Sequence, residues 1–148
     1  MQDKNSDYLK DAATVPSSGK PQLLGDVLAI GSRLVSEGKL PACVIDGNDG
    51  CYAVCRIAED MDEVRPLRTR DSVTVGRASA NTTSEWHVDD KWMSKAHVRF
   101  SIDENGIPLV EDLESLNGTF VNDVRTTSRR ILSRGDCIRA GHSVFIIL

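Results

Sequence analysis

Two stretches of this sequence carry side chains that could bind a phosphate group. Arg77 follows the alternating run VTV at 73–75, and a guanidinium at the end of a strand suits a two-point contact with phosphate oxygens. Ser94 stands just before a second apolar run, where its hydroxyl and nearby backbone N–H groups could donate to the same anion. Either residue alone would more often be an ordinary loop residue. An anion site requires a fold that brings the two together.

The segment SLNGTFVN at 115–122 could hold the main chain of an extended peptide. Asn117-Gly118 predicts a tight turn, because both residue types tolerate a positive φ. The asparagine side chain offers a carbonyl acceptor and amide donors. Taken by itself, a simple hairpin turn is the more common explanation.

Two further residues near these stretches look like framework. We expect Gly76 to permit a backbone conformation that is closed to other residues, so that the chain can turn sharply after its strand. His97, near the start of an apolar run, is more often a hydrogen-bonded core residue than a ligand or a catalytic base.

Short apolar runs alternate with turn residues from Tyr52 onward, which predicts an all-β sandwich. The predicted strands cover 52–57, 64–67, 72–75, 96–102, 108–112, 119–121, 137–140 and 142–148, with a further short strand at 42–45.

The chain before this region divides into two parts. Residues 1–21 are polar and aperiodic, which predicts a disordered tail or linker. Thr14 is the only threonine before the helix, and its phosphorylation would allow the tail to occupy the pocket of its own domain or of a neighbour. Apolar residues then recur at helical spacing over 22–38, which predicts an amphipathic helix. This helix is expected to pack on the domain at 42–148, and the alternative is that it binds a partner or forms a dimer.

Composition excludes several classes of function. The net charge of −4 argues against sequence-independent binding of nucleic acid, and no apolar run reaches the ~20 residues of a membrane span. No nucleophile motif, P-loop, metal-ligand cluster or cofactor motif is found, so neither catalysis nor a cofactor is expected.

The cysteines and arginines each allow two explanations. Cys51 and Cys55 would share one face of a strand. We expect all the cysteines to be small buried thiols in a reduced compartment, because the second pair of a zinc site is missing. Arginine residues are concentrated late in the chain. They are either solvated residues of loops and strands, or a basic rim beside a phosphate site. These arginines are Arg125, Arg129, Arg130, Arg134 and Arg139.

The motifs at Gly76-Arg77, at 94–97 and at 115–122, in this order and separated by strand-like runs, resemble the forkhead-associated (FHA) domain, a module that binds phosphothreonine peptides. The resemblance extends from about Tyr52 to Leu148. It implies an FHA-like β-sandwich of about eleven strands, preceded here by the short helix. The partners would be phosphothreonine-containing proteins or peptides, such as substrates of Ser/Thr kinases, and the location would be intracellular.

The resemblance also implies roles for individual residues. Those expected to bind the phosphopeptide are Arg77, Ser94, Lys95, Leu116 and Asn117; those expected to support the site are Gly76, His97, Gly118 and Asn122. Trp92 would select an apolar residue of the peptide. Leu116 departs from the polar residue usual at its position, which lends weight to the alternative of a scaffold that binds partners independently of phosphate.

Overall fold

Short strands account for most of the chain after Cys51. The computed structural model describes residues 20–47, 49–58 and 62–148. Its elements are α1 (Lys20–Ser36), a 3-10 helix (Ala42–Val44), β1 (Cys51–Ile57), β2 (Glu63–Arg68), β3 (Ser72–Arg77), β4 (Trp86–Val88), β5 (Val98–Ile102), β6 (Pro108–Asp112), β7 (Thr119–Val121), β8 (Val124–Thr126), β9 (Arg130–Ile131), β10 (Cys137–Ala140) and β11 (Ser143–Ile147). The tail prediction for 1–19 and Thr14 lies outside the described residues. The helix begins at Lys20, two residues before its predicted start.

The strands form two sheets. One has the order β2-β1-β11-β10-β7-β8, and the other has the order β4-β3-β5-β6-β9. The predicted all-β sandwich with about eleven strands is therefore confirmed. Three strands that the sequence did not reveal, β4, β8 and β9, have two or three residues each and lie at sheet edges. Runs this short carry no periodicity of their own, and pairing to a neighbour defines them.

The space between the sheets is filled by alternate residues of both. Val75 and Phe100 from one sheet and Val54, Val121 and Phe145 from the other belong to one buried cluster. The rings of Phe100 and Phe145 lie 5.6 Å apart. Burial of this apolar surface is the main force that holds the sheets together.

A second apolar cluster lies on the outer face of the β1 sheet, under α1. Leu34 is fully buried there against Ala53 and Ile146. Gly31 lets the helix approach closely, since a Cβ at that position would come within 2.9 Å of Ile45 Cγ2. The helix thus packs on the domain, while Leu28 remains 59% exposed.

Two sequence predictions are wrong in this region. The predicted strand at 42–45 is absent from the described structure, and residues 42–44 form a 3-10 helix instead, with the N–H of Val44 donating to the Pro41 carbonyl at 3.2 Å. Cys43 and Cys51 are joined in a disulfide, with Cα atoms 6.1 Å apart, and are not free thiols. The turn of the 3-10 helix brings Cys43 back to the start of β1, a proximity that no sequence spacing reveals. Disulfides are more common outside reducing compartments.

One end of the sandwich collects the loops that carry the predicted site. Because β3 and β5 are antiparallel, as are β5 and β6, the end of β3, the loop before β5 and the loop after β6 meet there. The turn between β10 and β11 reaches the same end, since β10 runs antiparallel to β7. Of the helices in the described ranges, none has the length and apolar character needed to cross a membrane.

We expect Leu34→Ala to lower the free energy of unfolding by about 2–5 kcal/mol, because it removes a fully buried side chain. Leu28→Ala, the same change in the same helix at an exposed position, should cost less than about 0.5 kcal/mol. Urea unfolding followed by tryptophan fluorescence measures both. Equal losses would contradict the packing of α1 on the sheet.

Thiol titration in denaturant without reductant should count two thiols per chain, Cys55 and Cys137, and four after reduction. In the folded protein both should react slowly. Burial, reinforced by Asp62, raises the pKa of Cys55 to about 12, and burial raises that of Cys137 to about 11, so little reactive thiolate forms. Cys43→Ser should raise the count without reductant to three, and four thiols in the unreduced wild type would contradict the disulfide.

Candidate functional site

Arg77 and Ser94, which lie far apart in the sequence, are adjacent in the fold. Arg77 is the last residue of β3, and its backbone N–H donates to the Ser94 carbonyl at 2.9 Å. Within the described part of the chain, the Arg77 Nε is buried and has no hydrogen-bond partner. A buried, unsatisfied guanidinium donor is unfavourable, and an oxyanion would satisfy it.

Gly76 is needed for a reason other than the predicted one. It lies in the extended strand β3 and does not have a positive φ, so the expected sharp turn is wrong. A Cβ at this position would overlap the carbonyl oxygen of Lys95. The missing side chain therefore lets the turn that carries Ser94 pass directly against β3.

The irregular stretch before β4 also holds that turn. The hydroxyls of Thr82 and Ser84 both donate to the Lys95 carbonyl oxygen, the former at 3.1 Å. The Thr82 hydroxyl in turn accepts the Ser84 N–H at 3.1 Å. These bonds fix the peptide unit between Lys95 and Ala96. The Lys95 N–H belongs to the preceding peptide unit, which is held by the bond from the Arg77 N–H to the Ser94 carbonyl, and it has no acceptor among the residues that the structure describes.

The Ser94 hydroxyl is held as an acceptor. Its Oγ receives the backbone N–H of Leu116 at 3.0 Å, and no described group accepts its own proton. The Leu116 N–H is thus occupied by Ser94, while the Leu116 side chain is 85% exposed. This bond joins the loop of Ser94 to the loop of Asn117 and leaves a hydroxyl proton free to donate to an anion.

His97 connects the same two loops through its ring. Its Nδ1 accepts the Ser94 N–H at 3.0 Å, and its Nε2 lies 2.8 Å from the Gly118 carbonyl oxygen. Only the neutral ring with the proton on Nε2 satisfies both contacts. Burial lowers the pKa of His97, against the opposing effects of the Gly118 carbonyl and of the Asp112 and Asp90 carboxylates. His97 is thus a fully buried bridge.

Asp112, which sequence reasoning missed, organises the loop before β7. Its Oδ1 accepts the hydroxyls of Ser115 at 2.6 Å and Thr119 at 2.7 Å. Its Oδ2 accepts the Ser115 N–H at 3.2 Å, and the Ser115 Oγ accepts the Gly118 N–H at 2.9 Å. An aspartate three residues before a serine, at the end of a strand, was the available signal, since such side chains bond to nearby backbone groups.

Asn117 lies at the exposed tip of this loop. Its Nδ2 donates to the Trp92 carbonyl at 2.8 Å, which uses one of its two amide protons. The Oδ1 and the other proton have no partner among the described residues, and an amide can offer both to a passing peptide backbone. Gly118 follows with a φ of +88°, a conformation that glycine adopts readily.

Trp92 forms an exposed platform next to Asn117. Its ring stacks on His142 with a centroid distance of 5.0 Å and an interplanar angle of 19°, and 54% of the residue remains exposed. An open depression of about 240 Å³ beside it is lined by Arg56, Lys91 and Ser143 as well. The platform offers apolar contact area at the margin of the site.

Asp90 holds the two halves of this platform and was also missed by sequence reasoning. The buried carboxylate accepts the Trp92 N–H at 2.9 Å, the His142 N–H at 2.8 Å and the Ser143 hydroxyl at 2.7 Å. Its bond to Trp92 is a local turn contact. Its bonds across 52 and 53 residues have no signal in the sequence.

Asn122 lies at the other end of β7, away from Asn117. Its Nδ2 donates to Asp136 Oδ1 at 2.9 Å, and its Oδ1 accepts the Cys137 N–H at 3.0 Å. It therefore joins β7 to the turn before β10, and any support that it gives to the site is transmitted along β7.

The chemistry available at this end is recognition of an anion joined to an extended chain. Free donors come from Arg77, Ser94 and Lys95, and Asn117 offers backbone-like hydrogen bonds. The neighbouring carboxylates of Asp90 and Asp112 already accept several protein donors.

Comparison with solved structures gives the same fold. The FHA domain of the CT664 protein from Chlamydia trachomatis superposes with a TM-score of 0.60 at 21% identity, over 66% of this chain and 96% of that one. The FhaA FHA domain, solved in complex with the intracellular domain of Rv3910, gives a TM-score of 0.56 at 28% identity over 66% and 99%. An FHA domain studied for phosphothreonine-dependent interactions gives a TM-score of 0.56 at 28% identity over 66% and 94%.

The family comparison covers all of the loops described above. No curated protein sequence matches the chain, but residues 73–141 match the family model of the FHA domain. This segment begins in β3 and ends in the turn after β10. FHA domains are non-catalytic modules that typically bind phosphothreonine peptides. Residues 73–141 of this chain therefore match the forkhead-associated (FHA) domain family, and the fold is that of FHA domains.

Proposed function

We propose that this domain binds phosphothreonine-containing peptides, with the phosphate held by Arg77 and Ser94. The observation that carries the proposal is a pair of unsatisfied donors. Among the described residues, the buried Arg77 Nε has no partner, and the Ser94 proton has no acceptor. A phosphothreonine brings roughly −1.5 to −2 charges and strong acceptor oxygens to such donors.

Lys95 and Asn117 would provide the remaining hydrogen bonds to the phosphopeptide. The Lys95 N–H, in the peptide unit whose Ser94 carbonyl is held by Arg77, would donate to the phosphate, and the exposed ammonium of Lys95 would add positive charge. Asn117 would hold the peptide main chain with its free Oδ1 and remaining amide proton. Leu116 would act indirectly, because its N–H holds the Ser94 hydroxyl in place.

Trp92 would select among phosphopeptides. The exposed stack of Trp92 on His142 lies next to Asn117, so a peptide held at Asn117 could lay an apolar side chain on the ring. Gly76, His97, Gly118 and Asn122 would serve as framework.

The expected affinity is modest. Two or three charge-assisted hydrogen bonds contribute about 1.5–3 kcal/mol each. Together with peptide contacts, these are compatible with micromolar binding at about −8 kcal/mol. Such a module would act as an intracellular adaptor that joins substrates of Ser/Thr kinases to other proteins.

Leu116 favours a second candidate function, a scaffold that binds its partner without phosphate. At 85% exposure, its side chain offers apolar contact beside the same loops. The same peptide with and without phosphate separates the two candidates. Equal affinity for both forms supports the scaffold.

We expect Arg77→Ala to weaken binding of a phosphothreonine peptide by at least about 100-fold, because it removes two charge-assisted hydrogen bonds. Isothermal calorimetry with the best peptide from a phosphothreonine library measures the effect. The thermal midpoint should change little, since the guanidinium has no partner in the described fold.

Arg68→Ala is the matched control for this experiment. Arg68 is exposed at the end of β2 and lies at the opposite end of the sandwich, so the same change of charge should leave affinity within about twofold. Unchanged affinity in Arg77→Ala with an unchanged thermal midpoint would refute the assignment of the phosphate site.

Folding should depend on the neutral state of His97. An unfolded histidine titrates near pH 6.5, and burial lowers the pKa of His97 in the folded protein. Above pH 6.5 the ring is neutral in both states. As pH falls below 6.5, the unfolded chain binds a proton that the folded chain does not, so the free energy of unfolding falls by at most about 1.4 kcal/mol per pH unit.

Urea unfolding at intervals between pH 7.5 and pH 5.5 measures this dependence. His97→Gln serves as the reference, since it keeps the exposed His87 and His142 and should show a flatter profile in this window. The same slope in both proteins would show that His97 is not the group responsible.

A further inference from the structure

The Arg125 side chain lies against the loop that presents Asn117. A Cβ built at Gly118 would stand 2.9 Å from the Arg125 Nε, 3.0 Å from its Cζ and 3.1 Å from its Nη2. The guanidinium therefore lies close to Gly118, and a side chain at that position would displace it. The contact follows from strand pairing, since Phe120 of β7 is opposite Arg125 of β8.

Sheet order sets the side of the site on which this charge lies. β7 has β10 on one side and β8 on the other. The turn after β10 carries His142, on which Trp92 stacks, whereas β8 carries Arg125. A peptide crossing the loop at Asn117 would thus have an aromatic platform towards β10 and a guanidinium towards β8.

Among the residues that the structure describes, the Arg125 guanidinium has no counter-ion. The residue is exposed, and none of the ion pairs or side-chain hydrogen bonds of the described residues involves it. The other arginine in contact with the strand pair, Arg139, differs in that it is buried and donates to the Gly141 carbonyl at 2.9 Å. Arg125 is therefore available to a ligand, and its planar donors suit a carboxylate.

We propose that Arg125 is a specificity-determining residue that selects phosphopeptides with an acidic side chain on the β8 side of the phosphothreonine. The inference rests on the proposed function and adds to it a second point of recognition. With Trp92 on the opposite side, the site would favour a peptide that has an apolar side chain towards β10 and an acidic side chain towards β8.

The expected gain is that of a solvent-exposed ion pair, which is small and sensitive to salt, because the Arg125 side chain is exposed.

The test is a set of phosphothreonine peptides that are otherwise built from alanine, with one aspartate moved through each of the positions on either side of the phosphothreonine. Calorimetry measures each peptide against wild type, Arg125→Gln and Arg68→Gln. Arg68 is the matched control, because it is an exposed arginine at the opposite end of the sandwich and the substitution removes the same charge.

In wild type, we expect aspartate at one or two positions on one side to tighten binding about threefold to fivefold over the all-alanine phosphopeptide. Lysine at those positions should weaken it. The preference should disappear in Arg125→Gln, persist in Arg68→Gln and shrink as salt is raised from 50 to 500 mM.

Two results would overturn the inference. If Arg125→Gln weakens all phosphopeptides equally, Arg125 only stabilises the loop at Gly118. If aspartate has no effect at any position, there is no acidic recognition at all. The all-alanine phosphopeptide keeps the two proposals separate. If this peptide no longer binds Arg77→Ala, the phosphate site is supported, whatever the result for the Arg125 variant. Failure of every phosphopeptide to bind wild type would overturn both.

Discussion

The neutral ring of His97 is the contact on which the rest of the site depends. The ring accepts a hydrogen bond from the Ser94 N–H and donates one to the Gly118 carbonyl oxygen. The first residue belongs to the loop with the phosphate donors, and the second to the loop with the peptide-binding amide. Removing the ring would leave a buried N–H and a buried C=O without partners, at about 1–3 kcal/mol each. The His97 ring thus acts together with the bond from the Leu116 N–H to Ser94 Oγ to hold the two halves of the site side by side.

Close backbone packing supplies the second constraint. The turn that carries Lys95 passes so near β3 that only a residue without a Cβ fits at position 76. Hydroxyls from Thr82 and Ser84 hold the same carbonyl. Arg77 and the Ser94 hydroxyl are therefore positioned by backbone contacts, which costs the side chains none of their capacity to donate to a ligand.

Asp90 and Asp112 bring negative charge close to the site, but their oxygens accept hydrogen bonds from the protein itself. Asp112 accepts hydrogen bonds from the loop before β7, and Asp90 accepts them from the Trp92 loop and from the turn after β10. Each carboxylate faces donors of the protein. In a chain of net charge −4, this is how the loops at one end can present donors and the charges of Arg77, Lys95 and Arg125 outward.

The sequence by itself determined the alternation that builds the sandwich, the order of the three motifs and the residues that could donate to a phosphate. Those features are local, because the period of a strand and the chemistry of a turn residue are set within a few positions. Only the tertiary structure decided that Gly76 avoids a collision rather than making a turn, that Cys43 is paired with Cys51, and that Arg125 lies against Gly118. Each of these depends on which strands are neighbours, and sheet order follows from the packing of the whole core rather than from any short segment.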